Sequence, residues 1–381
     1  MHRRVFLAPA VVVSLVAGIA VAQPAAAAPK WSLSPNPNPA GSIFTNLTGV
    51  ACPRANSCFA VGYTTTTART AGLVKHWNGS GWEIMRSLEP KGSRFTTWSA
   101  VSCPTAKSCF AVGSYTIAHR PRSLIEHWNG SNWAIMHVLD PDHSTSTLLS
   151  GVSCPATKSC FAVGSYTAAA RTRTLVAHWN GSFWGITTAP NPNHSTSTVL
   201  SGVSCPSTRS CFAVGSVTLG PSAGSLVEHW NGSNWGIMRV FNPEHATSTV
   251  LTGVSCPSTK SCFAVGNYYP NNSLLIEHWN GSQWGIIVGI HPTGSTATVL
   301  SRVSCPSTKS CFAVGNERSG AFYKPLIEHW DGKQWGVLTS PEPSGATVAI
   351  LNAVSCPTPS NCAAVGYYQN PNVKTLAERY A

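Results

Sequence analysis

The 381 residues carry 25 Lys and Arg against 13 Asp and Glu, a net charge of +12, and only 10% charged side chains. With 27 Pro and 32 Gly and no sustained helical period, the composition excludes a helix bundle or coiled coil; the length suits one large domain or two ordinary ones. A basic chain favours anionic surfaces, but no nucleic-acid-binding motif is present, and nucleic acid is not expected as a partner.

In chain order, residues 1–28 differ from the rest. A basic start, "MHRR", precedes the apolar stretch "VFLAPAVVVSLVAGIAVA" (5–22) and an Ala-rich segment. This pattern predicts an export signal cleaved after Ala22 or near Ala28. An uncleaved anchor is the alternative, because a run of this length nearly spans a bilayer. The first cysteine is Cys52, so no lipid-anchoring cysteine lies near the signal, and no later stretch is apolar enough to span a membrane. Residues 29–381 are therefore expected as a secreted, extracellular, monomeric protein, with Arg3 and Arg4 lost and the charge falling from +12 to +10.

The remainder is seven copies of one unit, each marked by a pair of cysteines. The pairs are Cys52 and Cys58, Cys103 and Cys109, Cys154 and Cys160, Cys205 and Cys211, Cys256 and Cys262, Cys305 and Cys311, and Cys356 and Cys362. First cysteines step by 51 residues, with one step of 49. The fourth copy reads "VLSGVSCPSTRSCFAVGSVT…SLVEHWNGSNWGIM" and predicts four strands. "LSGVSC" and "SCFAVGS" are joined through "PSTR", and "SLVEHW" and "NWGIM" through Asn-Gly, a dipeptide that suits a type I′ turn. Near-continuous apolar runs such as "CFAV" indicate strands covered on both faces. Seven such sheets fit an all-β, seven-bladed β-propeller of four-stranded blades, with a linear array as the alternative.

The two ends favour a ring. A Trp lies 21 residues before each first cysteine, and Trp31 holds that place before Cys52. "KWSLSPNP" (30–37) thus reads as a fourth strand with no third strand before it. "TLAERYA" (375–381) reads as a third strand with no fourth, with Tyr380 in the Trp position. Joining the two completes the C-terminal blade and removes exposed sheet edges.

Cysteine pairs across short hairpins in an exported chain are most simply disulfides. Each closes a loop of about seven residues, contributing roughly 2–2.5 kcal/mol in the chain-entropy account. The repeated His76, His127, His178, His229, His278 and His329, with Arg379 in the seventh copy, and the adjoining Glu126, Glu228, Glu277, Glu328 and Glu378 read as hydrogen-bonded scaffold. The Asn-Gly-Ser sequons at Asn78, Asn129, Asn180, Asn231 and Asn280 read as turns, and glycosylation is the weaker reading.

Departures between copies are more informative. Two residues after a repeated Pro stand Gly41, Gly92, His143, His194, His245, Gly294 and Gly345. Three successive copies thus offer His near the channel mouth, as a ligand or metal constellation or as a turn of unusual φ. On the same face Tyr115, Tyr166, Tyr268 and Tyr368 could stack on sugars, anchor a protein partner or pack between blades. Lys107, Lys158, Arg209, Lys260 and Lys309 place positive charge on the opposite face, as solvated surface or an anion-binding ring. Glu89, Asp140, Asp142, Glu244 and Glu342 are scattered through linking loops, and no carboxylate pair suits hydrolysis. No nucleophile elbow, dinucleotide motif or zinc motif is present. No catalytic residue, metal or cofactor is expected.

Over about residues 30–381 the repeat resembles those of secreted bacterial, especially actinobacterial, seven-bladed propellers. Its period is similar to that of kelch repeats, but the paired glycines of kelch are missing. "HWNGSNW" resembles the Asp-box turn of sialidase-type propellers, with Asn in place of Asp except at Asp331. The sialidase arginine cluster and catalytic Tyr have no counterparts, so the resemblance implies a fold and no activity.

The leading functional expectation is a non-catalytic propeller that binds carbohydrate or an anionic cell-surface polymer, with Tyr115, Tyr166, Tyr268, Tyr368, His143, His194 and His245 as candidate contacts. The alternatives are an extracellular glycoside hydrolase or lyase working at the channel mouth, and a protein-binding scaffold.

Overall fold

The structure is a computed structural model that describes residues 29–138, 140–270 and 272–381; the expected export signal lies outside them. The described residues contain no helix. Twenty-eight strands, numbered β1–β28 in chain order, form seven four-stranded antiparallel units. In the fourth unit these are β14 (Ser197–Ser207), β15 (Ser210–Leu219), β16 (Ser222–Trp230) and β17 (Trp235–Met238). β14 alternates buried and half-buried residues. "SCFAVG" in β15 is buried throughout, because neighbouring units cover both of its faces. β17 has only four residues, and a short outer strand offers little edge for unwanted pairing.

Every first strand carries two register shifts against its second strand, one before the cysteine hairpin and one earlier in the strand, and the earlier one sets the channel lining. Leu200 pairs with Gly215 but Gly202 pairs with Val214, so Ser201 is an extra, unpaired residue. The same shift recurs in the other six units. The repeated "AVG" glycine answers it: a Cβ on Gly215 would lie 1.9 Å from the Val199 carbonyl oxygen.

All seven expected cysteine pairs are disulfides, and no described cysteine is free. Cys52 is bonded to Cys58, Cys103 to Cys109, Cys154 to Cys160 and Cys205 to Cys211. Cys256 is bonded to Cys262, Cys305 to Cys311 and Cys356 to Cys362. The two halves of each bridge differ in setting. The second cysteines, Cys58, Cys109, Cys160, Cys211, Cys262, Cys311 and Cys362, are fully buried, whereas the first ones lie nearer the surface. The second of each pair opens the strand that neighbouring units cover on both faces. The bridges therefore tie the surface hairpins to the core.

The Asn-Gly turns differ from expectation. Trp230 pairs with Trp235, leaving a four-residue loop, and of Asn231 and Gly232 only the glycine has positive φ. Asn231 Oδ1 instead accepts the N–H groups of Ser233 and Asn234, each at 3.0 Å. Its side chain mimics a backbone turn, so a type I′ geometry is not needed.

Successive units share hydrophobic clusters, as where Phe212 and Val214 meet Leu251, Val254 and Trp284. Phe161 of the third unit sits between Trp230 and Trp235 of the fourth, with ring centroids 5.3 and 5.4 Å away. Phe312 of the sixth unit has Tyr380 at 5.2 Å and Trp31 at 6.1 Å instead. β1 (Trp31–Leu33) is hydrogen-bonded to β28 (Asn372–Tyr380), Trp31 opposite Tyr380. The start of the described chain therefore supplies the seventh unit's fourth strand. A further cluster joins that unit, through Ala353, Ala363 and Val365, to Leu47, Val50 and Trp82 of the first.

Backbone pairing does not run continuously through all units; the strands fall into sheets of sixteen, eight and four. Side chains bridge the breaks: Ser225 N–H of the fourth unit donates to Thr249 Oγ1 of the fifth at 2.7 Å.

Candidate functional site

The bulges decide what lines the space between the first strands. An extra residue is left out of the ladder and re-aimed. The bulged residues Thr48, Ser99, Ser150, Ser201, Thr252, Ser301 and Asn352, one from each unit, line a cavity of about 440 Å³ together with Asn46 and Arg302. Because Asn46 lies near the start of its strand, this cavity opens toward the end where fourth strands connect to first strands. Thr48 Oγ1 donates to the Trp98 carbonyl at 2.6 Å, Thr252 Oγ1 to that of Leu300 at 2.8 Å, and Asn352 Nδ2 to Asn46 Oδ1 at 2.7 Å. Within the described residues the hydroxyls of Ser99, Ser150, Ser201 and Ser301 make no such bond, which leaves four of the seven ring positions with free donor–acceptor groups.

The next position along each strand holds Gly49, Ala100, Gly151, Gly202, Gly253, Arg302 and Ala353. Small residues are required where the strands converge, since a Cβ on Gly151 would lie 3.0 Å from the Gly202 Cα. These residues and the following valines enclose a narrower cavity of about 120 Å³. Arg302 alone breaks the rule, and its side chain lines both cavities. Its Nη1 donates to the carbonyls of Thr252 and, at 2.9 Å, Ser301; Nη2 donates to Ser201 at 3.4 Å.

Part of Arg302 faces the channel, but protein surrounds the guanidinium, and this desolvation lowers its pKa to about 10. It is cationic at neutral pH. No carboxylate lines either cavity, and the two ion pairs found among the described residues, Arg122–Asp140 and Lys324–Glu342, lie elsewhere. The arrangement supplies hydrogen bonds and one positive charge. It offers no acid/base pair.

His143, His194 and His245 have φ of 58°, 63° and 60°, and the glycines in the same slot also have positive φ. Each occupies a turn closed by a hydrogen bond to the preceding Pro carbonyl, as from Ser144 N–H to Pro141. None lines the channel, and no group of three metal-capable side chains occurs among the described residues. Tyr115, Tyr166 and Tyr268 are half-buried against hydrophobic clusters shared by two units, as is Tyr368. Each pairs with the second residue of its first strand, as Tyr166 with Thr147, and so lies at the end of the unit where the first strand begins. Lys107, Lys158, Arg209, Lys260 and Lys309 are exposed on the cysteine hairpins, at the other end of the strands.

The scaffold histidines behave as expected. Each Nε2 lies 3.0–3.3 Å from the Ser hydroxyl that opens the second strand. Burial lowers all six pKa values, which keeps them neutral. In the seventh unit the pair is exchanged as a whole: Arg379 donates to Asn361 Oδ1 at 2.9 Å. That unit has Ala363 where others have Phe, and Arg379 lies over Trp77 of the first unit at 5.0 Å.

The glutamates correct the expectation of hydrogen-bonded scaffold. All five are fully buried, yet among the described residues neither carboxyl oxygen of Glu228, Glu277 or Glu328 has a hydrogen-bond partner. Glu126 Oε1 accepts from Leu88 N–H at 2.8 Å, and Ser340 donates to Glu378 at 2.9 Å. Burial raises Glu126, Glu228, Glu277 and Glu378 to about 8, and Glu328, which the Ile290 N–H approaches, to about 7. Most are thus protonated at neutral pH, because an unpaired buried charge is costly. Lys75 holds this position in the first unit, and its ammonium donates to Asn36, Pro37 and Thr375. Burial lowers its pKa to about 7, against the preference of those three oxygens for the charged form.

Sequence reasoning missed the bulge ring and Arg302. The signal was present: "LSRVSC" is the one copy with a large side chain where the others have Gly or Ala. The functional consequence needed the bulge, which periodicity does not show.

No protein-family model and no curated protein matches the sequence. Solved structures do match in shape. YCF48 from Cyanidioschyzon merolae aligns with a TM-score of 0.54 at 13% identity, covering 92% of this chain and 98% of that one. The GH74 xyloglucanase from Xanthomonas campestris gives 0.57 at 11% identity, over 91% of this chain but 55% of that one. A PL25 ulvan lyase bound to -[GlcA(1-4)Rha3S]- gives 0.55 at 9%, over 88% and 94%. The chain is a β-propeller. At these identities the likeness shows the propeller fold alone, and the bulge ring and Arg302 are properties of this chain's own residues.

Proposed function

We propose that this propeller is a secreted, non-catalytic binding protein for carbohydrate or an anionic cell-surface polymer, with the channel mouth as its site. The observation that carries the reading is the channel lining: hydroxyls and amides from seven units, one arginine and no carboxylate. Such a surface suits a hydroxylated anionic ligand and lacks the paired carboxylates that glycoside hydrolysis uses. We also propose that the seven blades close into one ring, completed by β1; the β1–β28 pairing and the cluster between the seventh and first units support this. Seven disulfides suit an extracellular setting. Tyr115, Tyr166, Tyr268 and Tyr368 would add stacking contacts around the mouth.

A glycan and wall-polymer binding screen on residues 29–381 tests the reading, with hits expected among acidic polysaccharides. Absence of binding at high protein concentration would overturn it. A second reading, a protein-binding scaffold, draws on a YCF48 structure described as bound to D1 peptide, with a TM-score of 0.54. Capture of a defined partner from the secretome, with no glycan bound, would favour it. Turnover of a polysaccharide panel would favour the enzyme alternative.

A further inference from the structure

Arg302 poses a specific electrostatic problem. Three of its five N–H bonds are donated to carbonyls of three successive units, Ser201, Thr252 and Ser301. Those bonds hold the side chain, but carbonyls carry no formal charge. The cation therefore stays uncompensated in a place where desolvation makes compensation valuable. The Nε–H and one Nη2–H remain, and a guanidinium presents such donors in a planar fork that matches two oxygens of one oxyanion.

Geometry limits how an anion reaches it. Arg302 lies between the 440 Å³ upper cavity and the 120 Å³ lower one. The lower cavity is lined mainly by Gly, Ala and Val and offers few side-chain donors besides Arg302 itself. A ligand entering from the mouth meets the serine hydroxyls first and the cation last, and the arginine bars the way to the narrower space beyond. A chain therefore presents an end and does not thread through.

Resting on the binding reading above, we infer that the channel is an end-on site for a single oxyanion on a hydroxylated terminal unit. The carboxylate or phosphate sits on Arg302, and the unit's hydroxyls meet Ser99, Ser150, Ser201 and Ser301. A uronic-acid end and a glycerol-phosphate end present the same chemistry.

Calorimetry with residues 29–381 separates these sources, using trigalacturonate and a glycerol-phosphate trimer, with methyl-esterified trigalacturonate as the uncharged control. At least one acidic probe should bind tenfold or more tightly than the control. Arg302→Ala, which places at Arg302 the residue that already stands at Ala100 and Ala353, should weaken that probe at least tenfold while leaving the thermal midpoint in place. Arg302→Lys should retain part of the affinity. Equal affinity of wild type and Arg302→Ala for the acidic probes overturns the inference. So does a wild-type protein that binds neutral glycans and neither acidic probe, although the carbohydrate reading then stands. Failure of every probe, charged or neutral, removes both.

Discussion

At the scale of single residues, two positions share one cause. The bulge leaves one residue of each first strand facing the channel, and the backbone just before it lies close against the second strand. Hence the serines line the cavity, and hence Gly215 cannot carry a side chain: its Cβ would overlap the Val199 carbonyl at 1.9 Å. Relief would require moving backbone in a close-packed strand pair. Gly215→Ala should therefore cost about 3 kcal/mol or more, read from denaturant unfolding; a loss below about 1 kcal/mol would mean that the bulge relaxes easily. Arg302 belongs to the same strand feature. It stands one residue beyond the bulge, where only its own unit departs from Gly or Ala.

At the scale of elements, the interfaces between blades combine a well-satisfied layer with a poorly satisfied one. The Phe of each second strand, in six of the seven units, is clamped by two aromatic side chains of the next unit, and each Ser–His pair is bonded within its blade. Beside them lie the five buried glutamates. Their folded pKa values, about 7 to 8, exceed the ordinary value of 4.5. The folded state therefore holds more protons than the unfolded state between about pH 4.5 and 8, and stability falls as pH rises through that window. Lys75 has the opposite shift, toward 7, and its contribution falls as pH drops from 10.5 toward 7. Five carboxyls outweigh one amine below pH 7. The thermal midpoint should be higher at pH 5 than at pH 8. Glu228→Gln and Glu277→Gln together should flatten that slope and add about 1–3 kcal/mol per site at pH 8. A midpoint independent of pH from 5 to 8 would show that water or local relaxation compensates the carboxylates.

At the scale of the whole molecule, β1 is the element on which the proposed ring depends. It has only three residues, yet Trp31 is buried against Phe312 and Tyr380 and supplies half of the clamp that other units build from two tryptophans. Trp31→Ala should cost about 3–5 kcal/mol, and removal of residues 30–37 should lower the thermal midpoint further. An unchanged midpoint after the deletion would count against closure through this strand.

The all-β class, the four strands per unit, the seven disulfides and the partnership of "KWSLSPNP" with "TLAERYA" were legible in the sequence. They depend on local pattern and on repetition, and seven copies print each local preference seven times. His143, His194 and His245 also showed their turn character, through the glycines in the same slot. What repetition could not show was which polar residues face the axis, because a bulge breaks the two-residue alternation that assigns faces in a strand. The missing partners of Glu228 and Glu277 were equally invisible, since satisfaction of a buried group depends on the neighbouring blade. The sequence by itself determined the units and how they are stapled. Tertiary structure alone placed seven bulges around one cavity and set Arg302 between it and the narrower cavity beyond, because that placement arises from strands about 50 residues apart meeting at close range.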